Sequence, residues 1–112
     1  MNKLIQRITN AIFRQEGAPS TALNPGNLRG APWLADPVIE NGFWVPPSRA
    51  AGIAGAAHLV ALRIAEGESL SQLITIWAPP GDDNNTAIYI ANVSEWAGIP
   101  DVNVPLWSYI GG

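Results

Sequence analysis

The chain has 112 residues and a formal net charge of −3 at pH 7, with 47% hydrophobic and 13% charged residues. Single cores usually run to about 100–200 residues, so this length predicts one domain over residues 1–112, and the apolar content excludes a disordered chain. The six Lys and Arg residues are scattered, which argues against a nucleic-acid partner, and the lack of cysteine excludes disulfides and thiolate metal sites.

Apolar residues at helical spacing predict an amphipathic first helix from about Asn2 to Glu16, ended by Gly17 and Pro19. Polar side chains interrupt the apolar ones throughout this segment. We therefore expect neither a secretory signal peptide nor a membrane span there, because both need an unbroken apolar run.

The next segment, residues 18–37, is rich in Pro, Gly, Asn and Ala and predicts a long irregular loop. Such loops are uncommon in small domains and often carry function. The sequence VIENGFWV, from Val38 to Val45, follows it and contains an Asn-Gly pair between β-prone residues. This pattern predicts a small β-hairpin with a two-residue turn.

A second helix is predicted from a cap at Ser48 to about Ala65, with Gly67 as its stop. The only histidine, His58, lies within the Ala/Gly-rich run AAGIAGAAHLVALRIA of this helix. The apolar periodicity of the run predicts a buried or half-buried histidine in the core rather than a member of a catalytic triad.

Two shorter helices complete the predicted fold. Ser69 and Gln72 form a capping box for a helix that ends at Pro79 and Pro80, and one of Asp83, Asn84 or Asn85 caps a helix from about Thr86 to Trp96. The tail contains too many helix breakers for a regular element, and we expect it to pack Trp107 and Tyr109 onto the body. The sequence thus predicts a mainly α fold of about four helices with one small hairpin.

Glu16 is the acidic residue whose position is most unusual, because it ends a helix just before the stiff loop. The negative end of the helix dipole disfavours an ionised carboxylate, and a protonated carboxyl is what a general acid supplies. An ordinary solvated glutamate at a helix end remains the alternative from spacing alone.

Four segments follow one another in a distinctive order: Glu16 with Gly17, NPGNLR at residues 24–29, a hairpin containing Phe, and WAPPGDDNNTAIYIANV at residues 77–93. In this order they resemble a group of small phage-encoded and bacterial peptidoglycan-cleaving proteins of the lysozyme-like superfamily. The resemblance covers roughly residues 5 to 99, and the two motifs together are more specific than either alone.

The resemblance implies that Glu16 is the catalytic acid and base for cleavage of the β-1,4 bond between N-acetylmuramic acid and N-acetylglucosamine. It implies substrate contacts from the loop, the hairpin and the fourth helix; these candidates are Asn24, Asn27, Arg29, Trp33, Thr86 and Tyr89. It implies no metal and no cofactor. Peptidoglycan glycan strands are the expected partner, with other virion proteins as further partners, and the protein is expected to reach the wall in a virion or after lysis.

Several alternatives stay open from the residues alone. Asn24 and Asn27 also suit plain turns, Thr86 and Tyr89 suit a cap and a packed ring, and Trp33 suits a core. Asp36 and Glu40 are the candidates for a second catalytic carboxylate; without one, the sugar's N-acetyl group can assist in a lytic transglycosylase reaction rather than hydrolysis. A non-catalytic virion protein or a glycan-binding module of the same fold is the alternative function.

Overall fold

The structure, a computed structural model, describes residues 2–82 and 84–111. These residues form four α-helices and one two-stranded antiparallel hairpin, which confirms the predicted mainly α fold. In chain order the elements are α1 (Lys3–Glu16), β1 (Ile39–Glu40), β2 (Phe43–Trp44), α2 (Arg49–Ala65), α3 (Leu70–Trp77) and α4 (Thr86–Ala97), with 3₁₀ turns at Pro80–Asp82 and Leu106–Tyr109.

The helices begin where local capping groups are available. The side chain of Ser69 accepts a hydrogen bond from Gln72 N while the side chain of Gln72 accepts one from Ser69 N, so the predicted capping box of α3 is confirmed. The side chain of Asn85 accepts from Ile88 N at 3.1 Å and caps α4. Asp83, another of the three candidate caps, lies outside the described residues.

The hairpin has the predicted two-residue turn. Asn41 and Gly42 adopt φ angles of 52° and 80°, the left-handed pair that a type I′ turn requires. The pairing register sets Ile39 opposite Trp44 and Glu40 opposite Phe43.

Two groups of buried apolar side chains hold the chain together. The main core joins all four helices and the tail, and its largest fully buried members are Leu4, Ile8, Ile12, Val60, Leu70, Leu73, Ile74, Val93, Ile99 and Leu106. The small core lies under the loop and the hairpin and consists of Leu28, Ala31, Trp44 and Ala56. Trp77 is half-buried and packs against both.

One expectation about a buried aromatic group is wrong. His58 is exposed, because it lies on the face of α2 that turns away from the main core. Trp107 is 55% exposed, and Leu106 beside it is the tail residue that is buried. Tyr109 is half-buried, and its hydroxyl accepts a hydrogen bond from Asp101 N at 2.9 Å.

None of the helices described here is both long enough and apolar enough to cross a membrane.

Candidate active site

Glu16 and Tyr89 meet where the C-terminal end of α1 packs against α4. The Tyr89 hydroxyl donates a hydrogen bond to Oε2 of Glu16 at 2.7 Å. The hydrogen bond described for the Glu16 side chain engages Oε2 and not Oε1. Tyr89 therefore fixes the carboxylate through one of its two oxygens.

Tyr89 is suited to hold this carboxylate because its side chain is 4% exposed and part of the main core. Burial, then the negative charge of Glu16 and the hydrogen bond to it, raise the pKa of Tyr89 above its ordinary value of 10.0. The phenol consequently stays neutral, and remains a donor, at neutral and mildly alkaline pH.

The backbone around Glu16 is also fixed. Gly17 ends α1 in the left-handed conformation with φ of 66°, and its N–H donates to Phe13 O. One residue earlier, the side-chain oxygen of Gln15 accepts a hydrogen bond from the Asn92 amide of α4 at 2.8 Å. The end of α1 is thus tied to α4 at two consecutive side chains.

Glu16 lines a cavity of about 150 Å³ together with residues from four other parts of the chain. The wall opposite α1 comes from the loop, the hairpin, the end of α3 and the segment before α4; its residues are Asn27, Arg29, Phe43, Trp77, Ala78 and Asn84. The guanidinium of Arg29 lies over the Phe43 ring, 4.7 Å from its centroid. Among the described residues, two with amide side chains, one with a guanidinium and two with aromatic rings therefore line the cavity together with Glu16.

A second cavity of about 240 Å³ shares Asn27, Arg29 and Trp77 with the first. It runs between the loop and helices α2 and α3, where Leu59 and Ile76 add apolar surface. The two cavities are neighbours that share these three wall residues, and we call them together the cleft.

The NPGNLR motif folds as a tight turn held by its first residue. Asn27 N donates to Asn24 O at 3.0 Å, and Asn27 adopts a φ of 55°. The Asn24 amide nitrogen donates to Leu28 O and to Trp44 O, while its oxygen accepts from Leu28 N, each at 2.9 Å. Asn24 thus fastens the loop to the hairpin, and both of its amide hydrogens are already used.

Long-range contacts then press the loop against α2 and α3. The Trp77 indole N–H donates to Gly26 O at 2.9 Å, and Arg49 donates to Ala22 O at 2.7 Å. Gly52 lies so close to the loop that a Cβ there would be 1.7 Å from Leu23 O. These contacts hold the loop that carries Asn27 and Arg29 against α2 and α3.

The remaining predicted substrate contacts separate into two places. Thr86 stands next to the cleft, because its hydroxyl donates to the carbonyl of Ala78, a lining residue, at 2.7 Å. Trp33 does not line the Glu16 cavity; it lies in a different pocket with Trp44 and His58. The structure therefore brings together Glu16, Asn27, Arg29 and Tyr89, with Thr86 beside them.

Neither candidate for a second carboxylate lines the Glu16 cavity. Asp36 is exposed in the loop before the hairpin. Glu40 is exposed on β1 opposite Phe43, and directly opposed residues share a face of the sheet, so Glu40 lies on the hairpin face that Phe43 presents to the cavity.

Phe43, Trp77 and Asn84 line the cavity but were not among the predicted substrate contacts. A signal for Phe43 exists in the sequence: it alternates with Trp44 across the strand and follows the turn directly. Trp77 and Asn84 flank the Pro-Pro segment, and their approach to Glu16 depends on how α3 and α4 pack. Local patterns carry no information about that packing.

No group of three or more His, Asp or Glu side chains able to hold a metal ion occurs within residues 2–82 and 84–111.

Comparisons of this chain with models of protein families, with curated proteins and with solved structures give no match. Any statement of function therefore depends on the side chains of the cleft and on the motif resemblance.

Proposed function

We propose that this protein cleaves the β-1,4 glycosidic bond between N-acetylmuramic acid and N-acetylglucosamine in peptidoglycan, through a lysozyme-like site with Glu16 as general acid and base. The observation that carries the proposal is the Glu16 carboxylate, bonded to a buried neutral tyrosine and facing a groove. A general acid needs this combination of fixed position and access to substrate.

In the first step, the protonated Glu16 carboxyl gives its proton to the glycosidic oxygen and the bond from that oxygen to the anomeric carbon breaks. The positive charge that develops on the sugar ring is stabilised by the substrate's own N-acetyl group. This single-carboxylate route is favoured because neither Asp36 nor Glu40 lines the Glu16 cavity.

In the second step, the Glu16 carboxylate removes a proton from the acceptor as that oxygen bonds to the anomeric carbon. A water acceptor leaves a reducing end, whereas the sugar's own 6-hydroxyl leaves a 1,6-anhydro end. Tyr89 serves as a positioning residue in both steps, since its hydrogen bond holds Oε2 while Oε1 exchanges the proton.

The other cleft residues suit a carbohydrate. Sugars present hydroxyl and amide groups along with apolar ring faces, and the cavity offers the amides of Asn27 and Asn84 beside the rings of Phe43 and Trp77. Arg29 adds guanidinium surface to the same wall, next to the Phe43 ring.

The test is digestion of purified sacculi, with mass analysis of the released muropeptides. We expect the wild-type protein to release fragments and Glu16→Gln to be about 10²–10⁴-fold slower, the usual contribution of a general acid. The matched control is Glu95→Gln, which neutralises an exposed glutamate of α4 and leaves the rate unchanged. Reducing ends on the released muropeptides would identify water as the acceptor, and 1,6-anhydro ends would identify the sugar's own 6-hydroxyl.

Two outcomes would contradict the proposal. Equal release by the wild type and Glu16→Gln would remove Glu16 as the acid. Tight binding of sacculi by the wild type without any release would instead support a glycan-binding module.

A further inference from the structure

A further pocket, separate from the two cavities of the cleft, lies on the opposite side of the hairpin from the Glu16 cavity. It has a volume of about 430 Å³, and its wall includes Trp33, Leu34, Trp44 and His58. We call it the rear pocket. The predicted substrate contact Trp33 belongs to this pocket.

Strand β2 separates the two sites. Successive residues of a strand point to opposite faces, and here Phe43 lines the Glu16 cavity while its neighbour Trp44 lines the rear pocket. A polymer that passes the edge of the hairpin can therefore contact both sides of one strand.

The rear pocket is built from aromatic rings packed against a bare stretch of helix. The rings of Trp33 and Trp44 meet edge to face at 5.6 Å, and the exposed His58 ring lies 5.1 Å from Trp33. A Cβ at Gly55 of α2 would be 2.7 Å from the Trp44 ring and 2.9 Å from the Trp33 ring. Glycine at this position is what lets both indoles lie on the helix.

The chemistry of the rear pocket matches a neutral ligand with an apolar face and hydrogen-bonding groups. None of its lining residues is Asp, Glu, Lys or Arg. No described residue accepts a hydrogen bond from the indole N–H of Trp33 or Trp44, so both donors are available together with the His58 ring. A saccharide offers such a face and such acceptors, while a cation or an anion would find no countercharge.

We propose that the rear pocket is a second saccharide site that binds an N-acetylhexosamine unit of a glycan strand, stacked on Trp33. This inference rests on the proposed function, since it assumes that the Glu16 cleft takes the same polymer. Binding at two linked sites raises the effective concentration of the strand at the cleft without changing the reacting groups.

The test uses the Glu16→Gln variant, in which turnover is blocked, and tri-N-acetylchitotriose as the probe. We expect the probe to shift the indole N–H resonances of Trp33 and Trp44 in a saturable manner, in addition to any shift of Trp77 in the cleft. Adding Trp33→Ala should raise the Kd of the probe, measured from the Trp44 resonance, about tenfold or more, because the ring that stacks on the sugar is lost. Trp107→Ala removes an exposed tryptophan outside both sites and should leave the affinity unchanged.

Three outcomes would overturn the proposal: a shift of Trp77 alone, no shift of any indole, or a response of Trp33 to choline chloride with none to the saccharide. The sacculus digestion separates these failures from failure of the proposed function. Release that depends on Glu16, combined with a shift of Trp77 alone, removes the rear pocket and keeps the enzyme. Shifts of Trp33 and Trp44 without any release support the rear pocket and contradict the enzyme.

Discussion

Replacement of Tyr89 by phenylalanine removes one oxygen atom and leaves the buried ring in the main core. The lost group is the hydroxyl that donates to Glu16 at 2.7 Å. Because Glu16 is only partly buried, water can replace the donor, and we expect the variant to be about 1 kcal/mol less stable than the wild type near pH 8.

The difference in stability between the wild type and Tyr89→Phe should shrink as the pH rises above about 10. The pKa of Tyr89 in the folded protein is raised above the ordinary value of 10.0, which applies to the unfolded chain. Above pH 10 the unfolded chain therefore loses a proton that the folded protein keeps, and unfolding becomes more favourable. A difference of one bound proton between the folded and unfolded states lowers the free energy of unfolding by about 1.4 kcal/mol per pH unit. The wild type and Tyr89→Phe should therefore reach similar stability at about pH 11.

The assay is urea denaturation of both proteins between pH 8 and pH 11.5, followed by tryptophan fluorescence. Subtracting the two curves cancels the other titrating groups. Tyr109→Phe is the control, because it keeps Tyr89 and should parallel the wild type. A constant difference between wild type and Tyr89→Phe across this range would refute the burial of a neutral phenol against Glu16.

Two further substitutions test how the loop is held. Gly52→Ala in α2 should cost about 2–3 kcal/mol in urea denaturation, since its Cβ would meet the backbone oxygen of Leu23 at 1.7 Å. Gly30→Ala, in the loop itself, is the control and should change little, because its Cβ would meet nothing within 4 Å. Equal effects of the two substitutions would mean that the loop does not pack tightly against α2. Asn24→Ala should lower the free energy of unfolding by about 1–3 kcal/mol and speed hydrogen exchange at the Leu28 amide, because three hydrogen bonds are lost. Asn10→Ala, on the exposed face of α1, is the control and should change neither quantity. Unchanged exchange at Leu28 would contradict the role of Asn24 in holding the loop.

The helices and the hairpin could be predicted because their boundaries are decided by neighbouring residues. Ser69 and Gln72 cap each other across one turn, and Asn41 with Gly42 supplies both positive φ angles of the hairpin turn. Such interactions depend on three or four residues, and a sequence displays them directly.

The membership of the cleft could be predicted only in part. The order of Glu16, the NPGNLR loop and Tyr89 indicates the acid, one wall of the cleft and the residue that holds the acid. The course of the loop instead depends on contacts between residues far apart in the chain, such as Trp77 with Gly26 and Gly52 with Leu23. For that reason Trp33 was expected at the substrate while Trp77 and Phe43 were not. The apolar run around His58 predicts a core position, and this prediction fails because Ala and Gly on every side of α2 obscure which face is buried.

The walls of the cleft are supported by cores of different size. Glu16 is held through Tyr89 by the main core. Asn27, Arg29 and Phe43 instead lie on segments supported by the four residues of the small core and the buried Pro25 and Pro46, a much smaller set than the main core. Local opening begins where few apolar contacts must be broken. We therefore expect the loop and the hairpin to open as a unit while the helices stay folded, so that a long polymer can enter from the side without displacing the acid.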